Sequence, residues 1–327
     1  MSYSLDLKSF KRLVISRALI ASLFAFTSVV QASAYNFTTF DAPSVSWTWA
    51  EGINNQGQVV GGVLTNNGTH GFVYNGNTYA ALAVPDAVSD TIARDISNTG
   101  EVVGDFDNTT GSHGFVYKDS IYTTLDAPNG NNTQAFGIND SGQVVGHFYD
   151  VTGSHGFVYN GSTYTTLNAP NADYTWAFGI NNIGQVVGDF HDATGTHSFV
   201  YNGSTYTTFD APNGYNISAR DINDSGQVVG ILNDTNGWSH GFVFNGSTYT
   251  ILDAPGEYNT WADGINDSGQ VVGGFYANSV LHGFIAAPAA VPLPASAWLF
   301  ISVLAGWGRL QSANLGNKRV LNGPNRD

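Results

Sequence analysis

From residue 35 onward, apolar and polar positions alternate in short runs separated by turn residues. One stretch carries the whole pattern. Thr175-Trp-Ala-Phe-Gly-Ile180 is followed by the polar turn Asn181-Asn-Ile-Gly184 and then by Gln185-Val-Val-Gly-Asp-Phe190. A polar loop, His191–Thr196, leads to His197-Ser-Phe-Val-Tyr201. Asn202-Gly203 is a tight hairpin signal, because both residues accept positive φ. The last run, Ser204–Phe209, ends at Asp210-Ala-Pro212, where proline cannot donate to a ladder. The pattern predicts four strands: Thr175–Ile180, Gln185–Phe190, His197–Tyr201 and Ser204–Phe209.

This unit recurs six times. Aligned on the turn glycines Gly57, Gly100, Gly142, Gly184, Gly226 and Gly269, the separations are 43, 42, 42, 42 and 43 residues. Four-stranded propeller blades have similar lengths. Val-Val and Phe-Val-Tyr place apolar side chains on consecutive residues, hence on both faces of a sheet. Such a sheet has to be sandwiched between two others, as radially packed blades are. The ends of the repeat region agree. Tyr35-Asn-Phe-Thr-Thr-Phe-Asp-Ala-Pro43 matches the fourth strand of a repeat, whereas the sixth repeat stops after its third, His282-Gly-Phe-Ile-Ala286. Pairing the two closes a circle and covers two open edges. The expected fold is all-β: a six-bladed β-propeller of four-stranded repeats over 35–287, its last blade completed by the N-terminal strand.

Composition fits many short strands with tight turns: 39 glycines, 13% aromatic and 11% charged residues. Cysteine is absent, so disulfides and thiolate metal sites are excluded. The net charge is −14, and only Arg94, Lys118 and Arg220 are basic between the two ends. Such a surface repels phosphate backbones, which argues against nucleic acid as a partner.

Both ends read as addresses. A basic region, Lys8–Arg17, precedes the apolar run Ala18–Val30, and Ala32 and Ala34 have the small side chains a signal peptidase accepts. Residues 1–34 are expected to be a secretory signal peptide. At the other end, Val291-Pro292-Leu293-Pro294 precedes an apolar stretch, Ala295–Gly308, and Arg309. This arrangement over 288–327 resembles the PEP-CTERM sorting signal. The resemblance implies transient membrane association through a short C-terminal helix, recognition by an exosortase, and delivery to the cell surface or extracellular matrix. The recurring Gly-Ile-Asn-x-x-Gly-Gln-Val-Val-Gly with its following His-Gly-Phe resembles the extracellular HAF repeat family. That resemblance implies export and repeated β-structure, and no defined activity.

Candidate chemistry is sparse. The repeated histidines His70, His113, His155, His197, His240 and His282 fall one per blade, and are expected to bond a neighbouring blade's loop rather than a metal. His147 and His191 read as loop residues. Loop aspartates (Asp105, Asp107, Asp150, Asp189, Asp192, Asp234) could offer oxygens to Ca²⁺, but no complete calcium loop is present. No cofactor is expected.

Repeats reveal function where they differ. Two residues before the isoleucine of the first strand, the copies read Glu51, Arg94, Phe136, Phe178, Arg220 and Asp263. Two residues earlier they read Trp49, Ile92, Gln134, Trp176, Ser218 and Trp261. In a closed ring the first and last blades are neighbours, so Trp49, Glu51, Trp261 and Asp263 are expected to cluster. Indoles beside carboxylates can grip a sugar, and Trp176 is a further stacking candidate. The competing reading is packing, with ion pairs Glu51–Arg94 and Asp263–Arg220. Three functions stay open: a non-enzymatic matrix protein binding polysaccharide or another matrix component, a spacer without a ligand, and a secreted glycan-active enzyme.

Overall fold

The computed structural model describes residues 35–211, 216–255 and 259–289. The residues of the expected signal-peptide site, Ala32 and Ala34, and of the expected sorting motif, Val291, Pro292, Leu293, Pro294 and Arg309, lie outside them.

The described chain forms six four-stranded antiparallel sheets. Blades 1 to 5 span 47–82, 91–125, 131–167, 174–209 and 216–252, each in sequential strand order. Blade 6 consists of Thr260–Ile265, Val271–Ala277 and Val280–Pro288, with the N-terminal strand Tyr35–Phe40 added at its outer edge. Phe37 lies opposite Ala286, and Phe40 opposite Gly283. His282 Nδ1 meets Asp41 just beyond this strand at 3.0 Å. The fold is the expected six-bladed β-propeller, closed by the chain's first strand.

Strand limits match the pattern with one shift. In blade 4 the strands are Tyr174–Ile180, Val186–Asp192, Gly195–Tyr201 and Tyr206–Phe209. The expected loop after Phe190 is therefore shorter. His191 and Asp192 continue the second strand, because Asp192 Oδ1 accepts the Thr194 N–H at 2.7 Å and Gly195 takes a φ of 135°. That turn chemistry needs only two residues. His147 and His191 are accordingly strand residues, not loop residues.

Consecutive apolar residues do serve two blades. Val59 and Val60 are both fully buried; Val59 packs with Val272 of blade 6, and Val60 with Ala93 and Ile96 of blade 2. The phenylalanine of each His-x-Phe motif fills the centre of its blade. Phe115, Phe157, Phe199, Phe242 and Phe284 have no exposed surface, and such burial is worth ~1.5–3 kcal/mol per ring.

The first strand of each blade lines a central channel, and the Asn-containing turn after it makes the seams. Asn54 is 3% exposed, and its hydrogen bonds are all made. Its amide donates to Gln58 Oε1 (2.8 Å) and to the Ser97 carbonyl of the next blade (3.1 Å), while its oxygen accepts the Gln56 and Gln58 N–H groups. Asn139, Asn181, Asn223 and Asn266 repeat the inter-blade bond at 3.1 Å. Only blade 2, with Ser97, lacks this amide. The next residue adds a second circle: the N–H of Asn55, Asn98, Asp140, Asn182, Asp224 and Asp267 each donates to the side chain of its counterpart one blade on, at 2.7–2.9 Å. The turn glycines supply the positive φ (75–84°) that aims these groups sideways.

Replacing Asn139 with Ala removes both the turn bonds and the seam bond, leaving the Asn181 carbonyl unmatched in a buried place. The expected loss is about 1–3 kcal/mol, read from chemical denaturation. An unchanged midpoint would show that these amides do not hold the seams.

Candidate functional site

Every first strand carries a β-bulge at the same place, between Ala50/Gly52, Ala93/Asp95, Ala135/Gly137, Ala177/Gly179, Ala219/Asp221 and Ala262/Gly264. A bulge re-aims the extra residue, and here the residue is the one that varies most. Glu51, Arg94, Phe136, Phe178, Arg220 and Asp263 all turn into the channel and meet around a space of about 40 Å³. In ring order they read acid, base, Phe, Phe, base, acid.

This tier is half saturated. Arg94 binds Glu51 Oε1 at 3.0 Å and Asp105 Oδ1 at 2.7 Å, and lies over the Phe136 ring at 5.0 Å. Glu51 also accepts the Trp49 indole N–H at 2.9 Å. Phe136 and Phe178 meet edge to face at 5.1 Å. Arg220 lies over Phe178 at 4.6 Å, yet its Nε is buried without an acceptor. Thus the expected Glu51–Arg94 ion pair forms. The expected Arg220–Asp263 pair does not, among the described residues. Burial, and then the Glu51 charge, push the Asp263 carboxyl up to about 8.

Below this tier, Asp95 and Asp221 stand where the other blades have glycine. Each accepts two backbone N–H groups, its own neighbour's and one from the next blade (Ile138 or Ile265), at 2.7–2.9 Å. A Cβ on Gly52 or Gly179 would stand 2.7 Å from the Asp95 or Asp221 Cα, so each aspartate requires glycine in the preceding blade. Burial raises both carboxyls, that of Asp95 to about 6.

Above it, three of the four residues expected to cluster between the last and first blades, Trp49, Trp261 and Asp263, do meet, joined by Trp47, while Glu51 stays in the channel tier. Trp47, Trp49, Trp261, Ile231, Gly274, Leu281 and Asp263 line an open, mostly apolar cavity of about 340 Å³. Trp47 and Trp261 both stand edge-on to Tyr276, at 6.1 and 5.3 Å. The room comes from glycine. Trp49 pairs across the sheet with Gly62, and Trp261 with Gly274. A Cβ on Gly62 would fall 2.3 Å from the Trp49 ring. In the other blades this place holds Asp105, His147, Asp189 or Ile231. Val-Val-Gly-Gly, found only in blades 1 and 6, was the visible sign of the cavity, and the reading of the tryptophans alone passed over it, as it passed over Trp47.

Two candidates lie elsewhere. Trp176 is in blade 4, donating to Ser154 Oγ at 2.7 Å and stacked between His147 (5.2 Å) and Tyr174 (4.7 Å). Its faces are already covered. Glu51 belongs to the channel tier and is held by Arg94 and Trp49. Four of the repeated histidines pair inside their own blade, not with a neighbour's loop: His113 with Asp126, His155 with Asn168, His197 with Asp210 and His240 with Asp253, at 2.7–2.8 Å. Of the expected loop aspartates, Asp105 and Asp189 are instead buried strand residues, Asp105 held by Arg94 and Asp189 by Ser198, Ser218 and the Ala219 N–H; Asp107, Asp150, Asp192 and Asp234 are engaged by N–H and hydroxyl groups of the turns beside them. Among the described residues no group of three or more His, Cys, Asp or Glu side chains is placed to hold a metal ion.

No protein-family model matches the chain, and no curated protein matches it in sequence. Solved structures match the architecture. A mutant form of Aleuria aurantia lectin, in complex with Fucα1-6GlcNAc, is similar at a TM-score of 0.50 and 14% identity, over 77% of this chain and 99% of that one. Virginiamycin B lyase from Staphylococcus aureus gives 0.42 and 14%, over 79% and 90%. Trypanosoma rangeli sialidase gives 0.47 and 10%, over 85% and 60%. The chain is a six-bladed propeller, and its likeness to the lectin, at 14% identity, is one of fold alone.

Between about pH 6.5 and 8 the folded state retains a proton on Asp263 that the unfolded chain, with a carboxyl near 3.8, has lost. Stability therefore falls as pH rises through this window. His147, held down to about 4 by burial and Arg94, is neutral when folded but half protonated when unfolded at pH 6.5, so it opposes the trend at the lower end of the window and no longer does so near pH 8. The melting temperature should fall across the window, and Asp263→Asn should flatten the slope. An equal slope in the variant would refute the assignment.

Proposed function

We propose that the protein is an exported, non-enzymatic component of the cell surface or extracellular matrix whose propeller binds polysaccharide at the junction of blades 6 and 1. The observation that carries this reading is the cavity of Trp47, Trp49 and Trp261 with the Asp263 carboxyl at its edge. Sugar rings stack their C–H faces on indoles and direct hydroxyls to polar groups at the margin. That a lectin shares the architecture supports the choice of ligand class. The HAF-repeat and PEP-CTERM resemblances support the address, with signal peptidase and exosortase as partners in export.

The spacer reading draws on the saturated side of the channel, where Arg94, Glu51 and Asp105 satisfy one another. It leaves the cavity unexplained. The enzyme reading needs two carboxyls flanking a bond. Glu51 is held by Arg94 and Trp49, and the tier it shares with Asp263 has only about 40 Å³ of space.

On a glycan array the full chain should retain polysaccharide fragments, and Trp49→Ala or Trp261→Ala should weaken retention about 10-fold, the loss expected for one aromatic stacking contact with its buried area. Gly274→Val, which fills the cavity from its floor, should do the same. Equal retention by all three variants would refute the site. For the address, mass spectrometry of both termini in wild-type and exosortase-deleted cells should show cleavage after Ala34 in both, and loss of the tail only in the first.

A further inference from the structure

We infer that the cavity takes a carboxylate-bearing sugar, a uronic acid unit of a polysaccharide, with Arg220 receiving its carboxylate beneath the indoles. This rests on the glycan-binding reading and names the ligand class for the same site.

The argument begins with an internal comparison. Arg94 and Arg220 occupy the same bulge in blades 2 and 5, each lying over a neighbouring Phe. Arg94 has two carboxylates within 3.0 Å. Arg220 has neither counterpart. The place of Asp105 is taken in blade 5 by Ile231, opposite Ser218. Asp189 of the preceding blade instead accepts from Ser198, Ser218 and the Ala219 N–H. A guanidinium in this state has buried donor capacity with no acceptor, and that is costly unless something supplies one. Because Phe178 covers its face, the donors left are those on the planar edge. An edge of that kind matches a carboxylate, which accepts two parallel hydrogen bonds.

Asp263 joins the two spaces. It lines the channel tier with Arg220 and also the cavity with the tryptophans. Among the described residues its carboxyl makes no hydrogen bond, and burial beside Glu51 favours its protonated form. A protonated carboxyl donates, so a ligand carboxylate would accept from both Arg220 and Asp263. A hydroxyl would meet one of them and leave the guanidinium without a paired acceptor on its planar edge. Ile231 and Leu281 keep the surroundings apolar, where a charge-assisted pair is strongest. The net charge of −14 opposes approach of a polyanion, so moderate salt should speed association.

The test compares glucuronate-containing and glucose-containing oligosaccharides of equal length, titrated at pH 6 against the full chain. The acidic one should bind about 10- to 100-fold more tightly, the range of one charge-assisted pair. Arg220→Met should abolish the preference but keep neutral binding, while Asp263→Asn, whose amide still donates, should retain it. Arg94→Met should lower the melting temperature instead. Equal affinity of wild type for both oligosaccharides would overturn the inference and leave glycan binding standing. Binding of neither would fell the parent reading. Should Arg220→Met not fold, Arg220→Lys, which keeps charge but loses the planar edge, should reduce the preference, and the wild-type comparison decides alone.

Discussion

The hydrogen-bonded circle formed by the Asn-Asp turns is the constraint on which the rest of the structure depends. In each of five blades a buried amide fixes its own turn with one N–H and seizes the next blade's backbone with the other. The outer circle runs through all six seams, and its last link, Asp267 to Asn55, joins residues 212 apart in sequence. That link exists only if the ring closes. Closing so long a loop has an entropic cost, and the first strand, latched to Val280–Pro288, helps to meet it. Turn and seam are thus one device. A motif that looks like hairpin chemistry sets the spacing of the blades.

Because the circle fixes the inner strands so closely, little freedom remains beside it. Asp95 and Asp221 fit only next to Gly52 and Gly179. One tier higher the bulge releases a single residue per blade into the channel, and it is here that the copies diverge. Saturation on one side of the channel (Glu51, Arg94, Asp105) and lack of it on the other (Arg220, Asp263) follow from single substitutions in an otherwise repeated frame. Variation is safe at a bulge because the extra residue takes no part in the ladder.

Much of this was legible in the sequence. Period, strand order and closure by Tyr35–Phe40 follow from spacing and from apolar residues on consecutive positions, which only a sandwiched sheet can bury. The proximity of Trp49, Trp261 and Asp263 followed from closure alone. What could not be read depends on where side chains point. The bulge is silent in the sequence, because Ala-Glu-Gly-Ile and Ala-Arg-Asp-Ile look like ordinary strand ends. Without it, nothing says that six residues from six blades meet on one axis, or that Trp176 is spent on His147 and Tyr174. The histidines were misplaced for a similar reason: in four blades the partner, an Asp or Asn 13 residues on, looks like the residue that ends a strand before Ala-Pro.

The cavity is also the strongest argument against a pure spacer. Glycine within a strand weakens it by roughly 0.5–1 kcal/mol relative to alanine, and an open apolar recess leaves its walls facing water. Blades 1 and 6 carry both burdens, at Gly62 and Gly274, in the seam that already depends on a strand from the far end of the chain. A ring selected only for rigidity would place a larger side chain there, as the other four blades do with Asp105, His147, Asp189 and Ile231. Three indoles around an open space of about 340 Å³ at that seam are what a ligand would require and what packing alone would have filled.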